Sequence, residues 1–182
     1  CKHVLSLKVF VTMRSEFLQL VASEVFIGRE TSNPMGIHAM TGVNALRWIC
    51  RTFSSLGAKG LLLWTLGPET QSGQDLDPLP EEGETVSLDA IREAIGANDA
   101  MRAAACTQAY CQNRGDLRAL QGELGMWAAK DSFTEMHGMK HQQAMVEEFA
   151  TTRSDAAWMH LAAQAKEAAL HAGKGTAVYE RA

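Results

Sequence analysis

At 182 residues, with 46% hydrophobic and 21% charged side chains, the chain has the composition of a globular protein of one ordinary domain or two small ones, and not that of a disordered chain. The net charge of −4 is uneven: residues 1–66 carry seven Lys/Arg against three Asp/Glu, residues 67–84 carry six acids and no base, and the remainder holds ten bases against twelve acids. The basic surplus lacks the clustering that phosphate contacts require, which disfavours nucleic acid as a partner. No run reaches the roughly 18 apolar residues of a membrane span, leaving only peripheral membrane association open.

The sequence begins at Cys1, which we read as a processed N-terminus or a fragment end. Cys1, Cys50, Cys106 and Cys111 show no CxxC spacing, so a reducing intracellular compartment, or an organelle reached after removal of a targeting segment, is expected. On a helix Cys106 and Cys111 point about 140° apart, which argues against a bridge between them.

The run Val4-Leu5-Ser6-Leu7-Lys8-Val9-Phe10-Val11 predicts a buried strand. From Arg14 to Phe26 the spacing of Phe17, Leu20, Val21 and Val25 predicts a helix stopped at Gly28, and Ser32-Asn33-Pro34 with Gly36 predicts a loop over Arg29–Gly36. A second helix is expected from Thr41, with Val43, Leu46, Ile49, Cys50 and Phe53 as its apolar stripe. After Gly57, Gly60–Leu66 reads as another buried strand. The first 66 residues thus form a small α/β or α+β unit.

Arg47 and Arg51 lie one helical turn apart, and two guanidinium groups at that spacing can share a phosphate or carboxylate. The competing reading is a solvated helix face. There is no GxxxxGK, and no GxGxxG follows a strand.

Residues 67–84 hold three of the four prolines and six acids, and are expected to form an extended acidic linker lying on protein surface. Beyond it the chain is rich in residues that lose little on entering a helix. Helices are predicted over Leu88–Ile95, Asp99–Gln112, Asp116–Ala129, Ser132–Thr151 and Asp155–Ala172, with Asp116 as an N-cap. Leu117, Leu120, Leu124, Trp127 and Ala128 form a buried stripe. Residues 85–182 should therefore be an all-helical unit, an antiparallel bundle or a run of helical hairpins. Within it, Met159–Gln164 resembles the inner helix of an ankyrin repeat and Gly115-Asp116-Leu117 the start of an outer one. The Gly and Thr-Pro turn residues of that family are absent before Met159, and no role follows for any residue here.

One side-chain constellation carries chemistry. His137 and His141 are four residues apart, as are Glu167 and His171 on the next helix; a hairpin turning near Arg153 would bring three nitrogens and a carboxylate together, enough for zinc, iron or copper. The helical wheel opposes this. It places Met136, Met139, Met145, Val146, Phe149 and Ala150 on the apolar arc of the first helix, and Trp158, Leu161, Ala162, Ala165 and Ala169 on that of the second, so His137, His141, Glu148, His160, Glu167 and His171 are expected to face solvent.

There is no GxSxG, no HExxH and no cysteine with an assignable histidine, and the sequence requires no cofactor. The leading expectation is a non-catalytic accessory or interaction subunit of a larger assembly, with other protein subunits as partners. The alternatives are a metal-binding helical enzyme or carrier using the His137/His141 region, and an anion-binding module using Arg47 and Arg51.

Overall fold

The computed structural model describes residues 16–28, 34–52, 86–131 and 136–174, and every regular element among them is a helix. Helical residues 16–27 (α1) precede α2 (Pro34–Thr52), α3 (Leu88–Gly96), α4 (Ala100–Gln112), α5 (Leu117–Lys130), α6 (His137–Thr151), a 3₁₀ turn at Asp155–Ala157 and α7 (Trp158–His171). The expectation of a mainly α protein holds. The N-terminal α/β unit is not supported: residues 16–27 and 34–52 are helical, and among the described residues there is no strand. The two expected strands and the acidic linker lie outside the described residues. No helix is long and apolar enough to cross a membrane among the described residues.

Helix ends follow the local chemistry. The Asp116 side chain accepts from the Arg118 and Ala119 amides at the start of α5, Asp99 caps α4 through the Arg102 amide, and Ser87 caps α3 through the Ala90 amide. Each satisfies donors that the first helical turn leaves open. At the end of α3, Asn98 takes a left-handed conformation (φ 59°) that an asparagine tolerates. Its amide donates to the carbonyls of Ala169 (2.8 Å) and Ala172 (2.9 Å), filling acceptors that the end of α7 exposes.

The second helix starts earlier than the sequence suggests. Pro34 is its first residue, a position where the missing N–H costs nothing, so the proline that reads as a loop signal is a start signal. Gly36 then lies inside the helix against α1, where a Cβ would stand 2.8 Å from Phe26 Cδ2.

Around α7 the other helices gather. Its most extensive pairing is with α4, and it also contacts α3, α5 and α6. Both partners of the α4–α7 pair carry small residues at the contact: Ala103 and Ala104 on one, Ala162, Ala165 and Ala169 on the other, all buried. Short side chains let two helices approach closely. One apolar cluster joins Ile91, Ile95, Cys106, Leu120, Leu124 and Leu161, from α3, α4, α5 and α7. A second joins Ala22, Phe26, Ile37, Met40, Met145 and Ala162, so α1 and α2 share their core with α6 and α7. Cys106 and Cys111 are not disulfide-bonded, as their spacing requires.

The wheel expectation fails on α6 and α7. The buried residues of α6 are Gly138, His141, Ala144, Met145 and Glu148, while Met136 and Met139 are exposed. On α7 every residue from His160 to Ala169 is buried. A helix enclosed on all sides has no solvent face, so amphipathicity stops reporting orientation.

Candidate functional site

Ten polar or charged residues are buried among the described residues, and they fall largely on α1, α2, α6 and α7. Along α7, His160, Gln164, Glu167 and His171 recur at i, i+4, i+7 and i+11, one stripe down a single helix face. This stripe runs from the middle of the core to the C-terminal end of α7.

At its inner end His160 is fully engaged. Its Nδ1 lies 2.9 Å from Ser23 Oγ on α1 and its Nε2 lies 3.0 Å from Thr152 Oγ1. Burial, followed by the positive charge of Arg47 and by His141, pushes its pKa down to about 4, so the ring is neutral at physiological pH. The hydroxyl–imidazole pair has the distance of a nucleophile and its base. Ser23, however, is wholly enclosed and the third group is a hydroxyl, so the arrangement is that of a satisfied core histidine.

His141 on α6 is different. Its Nε2 lies 3.4 Å from Met40 Sδ, and its Nδ1 has no hydrogen-bond partner. A thioether accepts and cannot donate, so which ring nitrogen carries the hydrogen depends on whether the ring donates to this weak acceptor or to the Gln164 side chain. Burial drives the pKa of this ring down to about 4, while nearby Glu167 and Gln164 oppose the shift. The ring is neutral and packs at 56° to Phe26, with centroids 5.7 Å apart.

At the outer end Glu167 Oε1 stands 3.0 Å from His171 Nδ1. The same nitrogen lies 3.2 Å from the Glu167 backbone carbonyl, and Glu167 Oε2 has no hydrogen-bond partner. The Glu167 carboxylate raises the His171 pKa, against the lowering effect of burial. Gln164 Oε1 is also without a donor. Gln164 and Glu167 line a narrow recess of about 20 Å³ between α5, α6 and α7, with Trp127, Asp131 and His171 at its wall. Such a volume takes one water-sized group.

Two ionic contacts frame this interior. Arg47 on α2, 4% exposed, pairs with Glu148 on α6, which also accepts from Asn44 at 3.1 Å. Lys166 donates to the Ile27 carbonyl at 2.8 Å and lies over the Phe26 ring at 5.6 Å, placing a cation at the C-terminal end of α1.

The residues expected from sequence are thus distributed unequally. Glu167 and His171 come together and His141 lies within electrostatic reach of Glu167, whereas His137 sits edge-on to His38 with centroids 5.3 Å apart. Among the described residues no group of three or more His, Cys, Asp or Glu side chains is arranged to hold a metal ion. Arg47 is committed to an internal carboxylate, while Arg51 is exposed. Sequence reasoning gave no site role to Ser23, Gln19, Gln164 and Lys166 and put Glu148 on a solvent face; the signal available was the spacing of His160, Gln164, Glu167 and His171.

No family model matches this chain, and neither a curated protein nor a solved structure matches it. The short likeness to an ankyrin repeat therefore stands without a family behind it.

Proposed function

We propose that the protein binds a small polar ligand at the buried stripe of α7 and moves a proton on it. One observation carries this reading. His141, Gln164 and Glu167 are 0%, 1% and 2% exposed, and His141 Nδ1, Gln164 Oε1 and Glu167 Oε2 have no aligned hydrogen-bond partner, while Glu167 Oε1 meets only His171 Nδ1, at 3.0 Å. A buried acceptor left unpaired costs roughly 1–3 kcal/mol, and native interiors rarely keep such groups without a functional reason or a bound partner. The chemistry available is acid–base. Glu167 meets the ligand as acceptor, His171 beside it is held in its protonated form to higher pH than usual, and neutral His141 offers a second lone pair behind them.

Pools of small polar metabolites, tested by thermal melting, check this directly. The reading expects a pool that raises the melting temperature of the wild type and not of Glu167→Gln. Pools that shift neither protein, or both alike, count against it.

A role as an accessory subunit is the second reading, favoured by the exposure of Phe17 (63%) and Trp48 (60%) on α1 and α2. Large apolar side chains exposed on neighbouring elements are what a protein interface uses. Sedimentation with and without Phe17→Glu and Trp48→Glu tests it: a self-associated wild type that both variants dissociate supports an interface there, and a monomer unaffected by either speaks against one.

A further inference from the structure

The fold splits the i, i+4 pair His137/His141 that the sequence offers as a chelate. His141 turns into the core against Phe26 and Met40, while His137 stays half-buried at the start of α6. There it meets a histidine of another helix. The exposed His38 ring of α2 stands 5.3 Å from it, centroid to centroid, with the two ring planes at 90°.

We propose that His38 and His137 together bind one transition-metal ion of the zinc and copper class between α2 and α6, each through one imidazole nitrogen. The spacing fits. A metal about 2.0–2.1 Å from one nitrogen of each ring, at a tetrahedral angle, sets the two ring centroids about 5 Å apart. The helices that carry the two rings are also tied together nearby: Arg47 pairs with Glu148 inside the core, and the Asn44 amide donates to Glu147 and to Glu148, each at 3.1 Å. Ligands mounted on packed helices are pre-positioned, so little freedom is lost when the metal arrives.

The donors select the class of metal. Imidazole nitrogens suit zinc, copper and nickel, whereas calcium and magnesium require oxygen ligands. His38 lines a shallow groove of about 620 Å³ between α2 and α6, and none of the described residues lining that groove is Asp or Glu. A hard cation would find no carboxylate there. Two protein ligands leave the remaining tetrahedral positions to water or to a donor of a bound molecule. Lys140 lines the same groove, so its charge favours an anionic donor in that place. The site is separate from the α7 stripe, and neither reading depends on the other.

Calorimetric titration of the full chain with zinc chloride, beside calcium and magnesium chlorides, tests the proposal. One zinc equivalent should weaken at least roughly tenfold in His38→Ala and in His137→Ala alike. The double variant should lose no second equivalent, because both residues hold the same ion. Calcium and magnesium should not compete for it. His38 is exposed, so His38→Ala decides the matter even where His137→Ala disturbs the start of α6. An absence of zinc binding, or a wild-type titration in His38→Ala, would overturn the proposal and leave the two rings as an edge-on packing pair. Two separate zinc equivalents, one lost with each histidine, would overturn the shared site. Competition by calcium or magnesium would overturn the class of metal.

Discussion

His141 Nε2 lies 3.4 Å from the sulfur of Met40, a weak acceptor, at the centre of the protein. Glu167 and the Gln164 side chain act on the same ring, opposing the lowering of its pKa by burial.

The two buried histidines set the acid limit of the fold. His141 and His160 have folded pKa values of about 4, lowered first by burial, against about 6.5 in the unfolded chain. Between those values the unfolded state binds more protons, so stability is full above about pH 6.5 and falls as pH drops toward 4. His171 acts in the opposite sense: its raised pKa gives stability that is present below the unfolded value and lost as pH rises through the folded one. Two histidines outweigh one. Urea unfolding at pH 7.5 and pH 5 should show a loss approaching about 2 kcal/mol for each buried histidine, partly offset by His171. A profile that is flat or rises toward acid would contradict the neutral, enclosed state of both rings.

Arg47 and Glu148 join α2 to α6 from inside the core. Removing one partner strands the other charge, so Arg47→Met should cost about 3–5 kcal/mol. Adding Glu148→Leu should recover most of that loss, since an apolar pair needs no charge compensation. Chemical denaturation of the two single variants and the double variant measures the coupling. A double variant as unstable as the sum of the singles would show that the pair is not a unit.

Gly36 is required by a ring and not by its own backbone angles. Alanine there gains about 1 kcal/mol in helix propensity, but its Cβ would stand 2.8 Å from Phe26 Cδ2. Overpacking of this kind costs about 1–3 kcal/mol. Gly36→Ala should therefore be neutral or destabilising, and Phe26→Leu with Gly36→Ala should melt higher than Phe26→Leu alone. An equal or lower melting temperature for the double variant would mean that Phe26 does not limit the position.

How much of this was legible depended on whether the signal was local. Asp116 was readable as a cap because it needs only the amides two and three residues on, and the α3–α5 pattern followed with little error; Asp99, expected as the first residue of its helix, is its cap. The Leu120–Leu124–Ala128 stripe was equally readable, because α5 buries one face. Orientation on α6 was misread because His141 and Glu148 counted as polar, although with Ala144 and Met145 they define the buried face at i, i+3, i+4 and i+7. Only tertiary partners, Met40 for one and Arg47 for the other, make those positions tolerable inside. On α7 no periodicity could have helped, since helices cover it all round. The start of α2 at Pro34 was missed because a proline marks a helix entry and a loop equally well until its neighbours are known.

The central claim is that the unpaired acceptors on α7 are kept for a ligand and not for the fold, and Gln164→Met tests it most directly. Methionine keeps the length and apolar stem of glutamine while removing Oε1, an acceptor buried without a donor. Measured by urea unfolding without added ligand, the variant should be more stable than the wild type by about 1–2 kcal/mol, the cost of the unpaired group. A variant less stable than the wild type by a similar amount would show that Gln164 is part of a satisfied structural network, and the proposed site would fall with it.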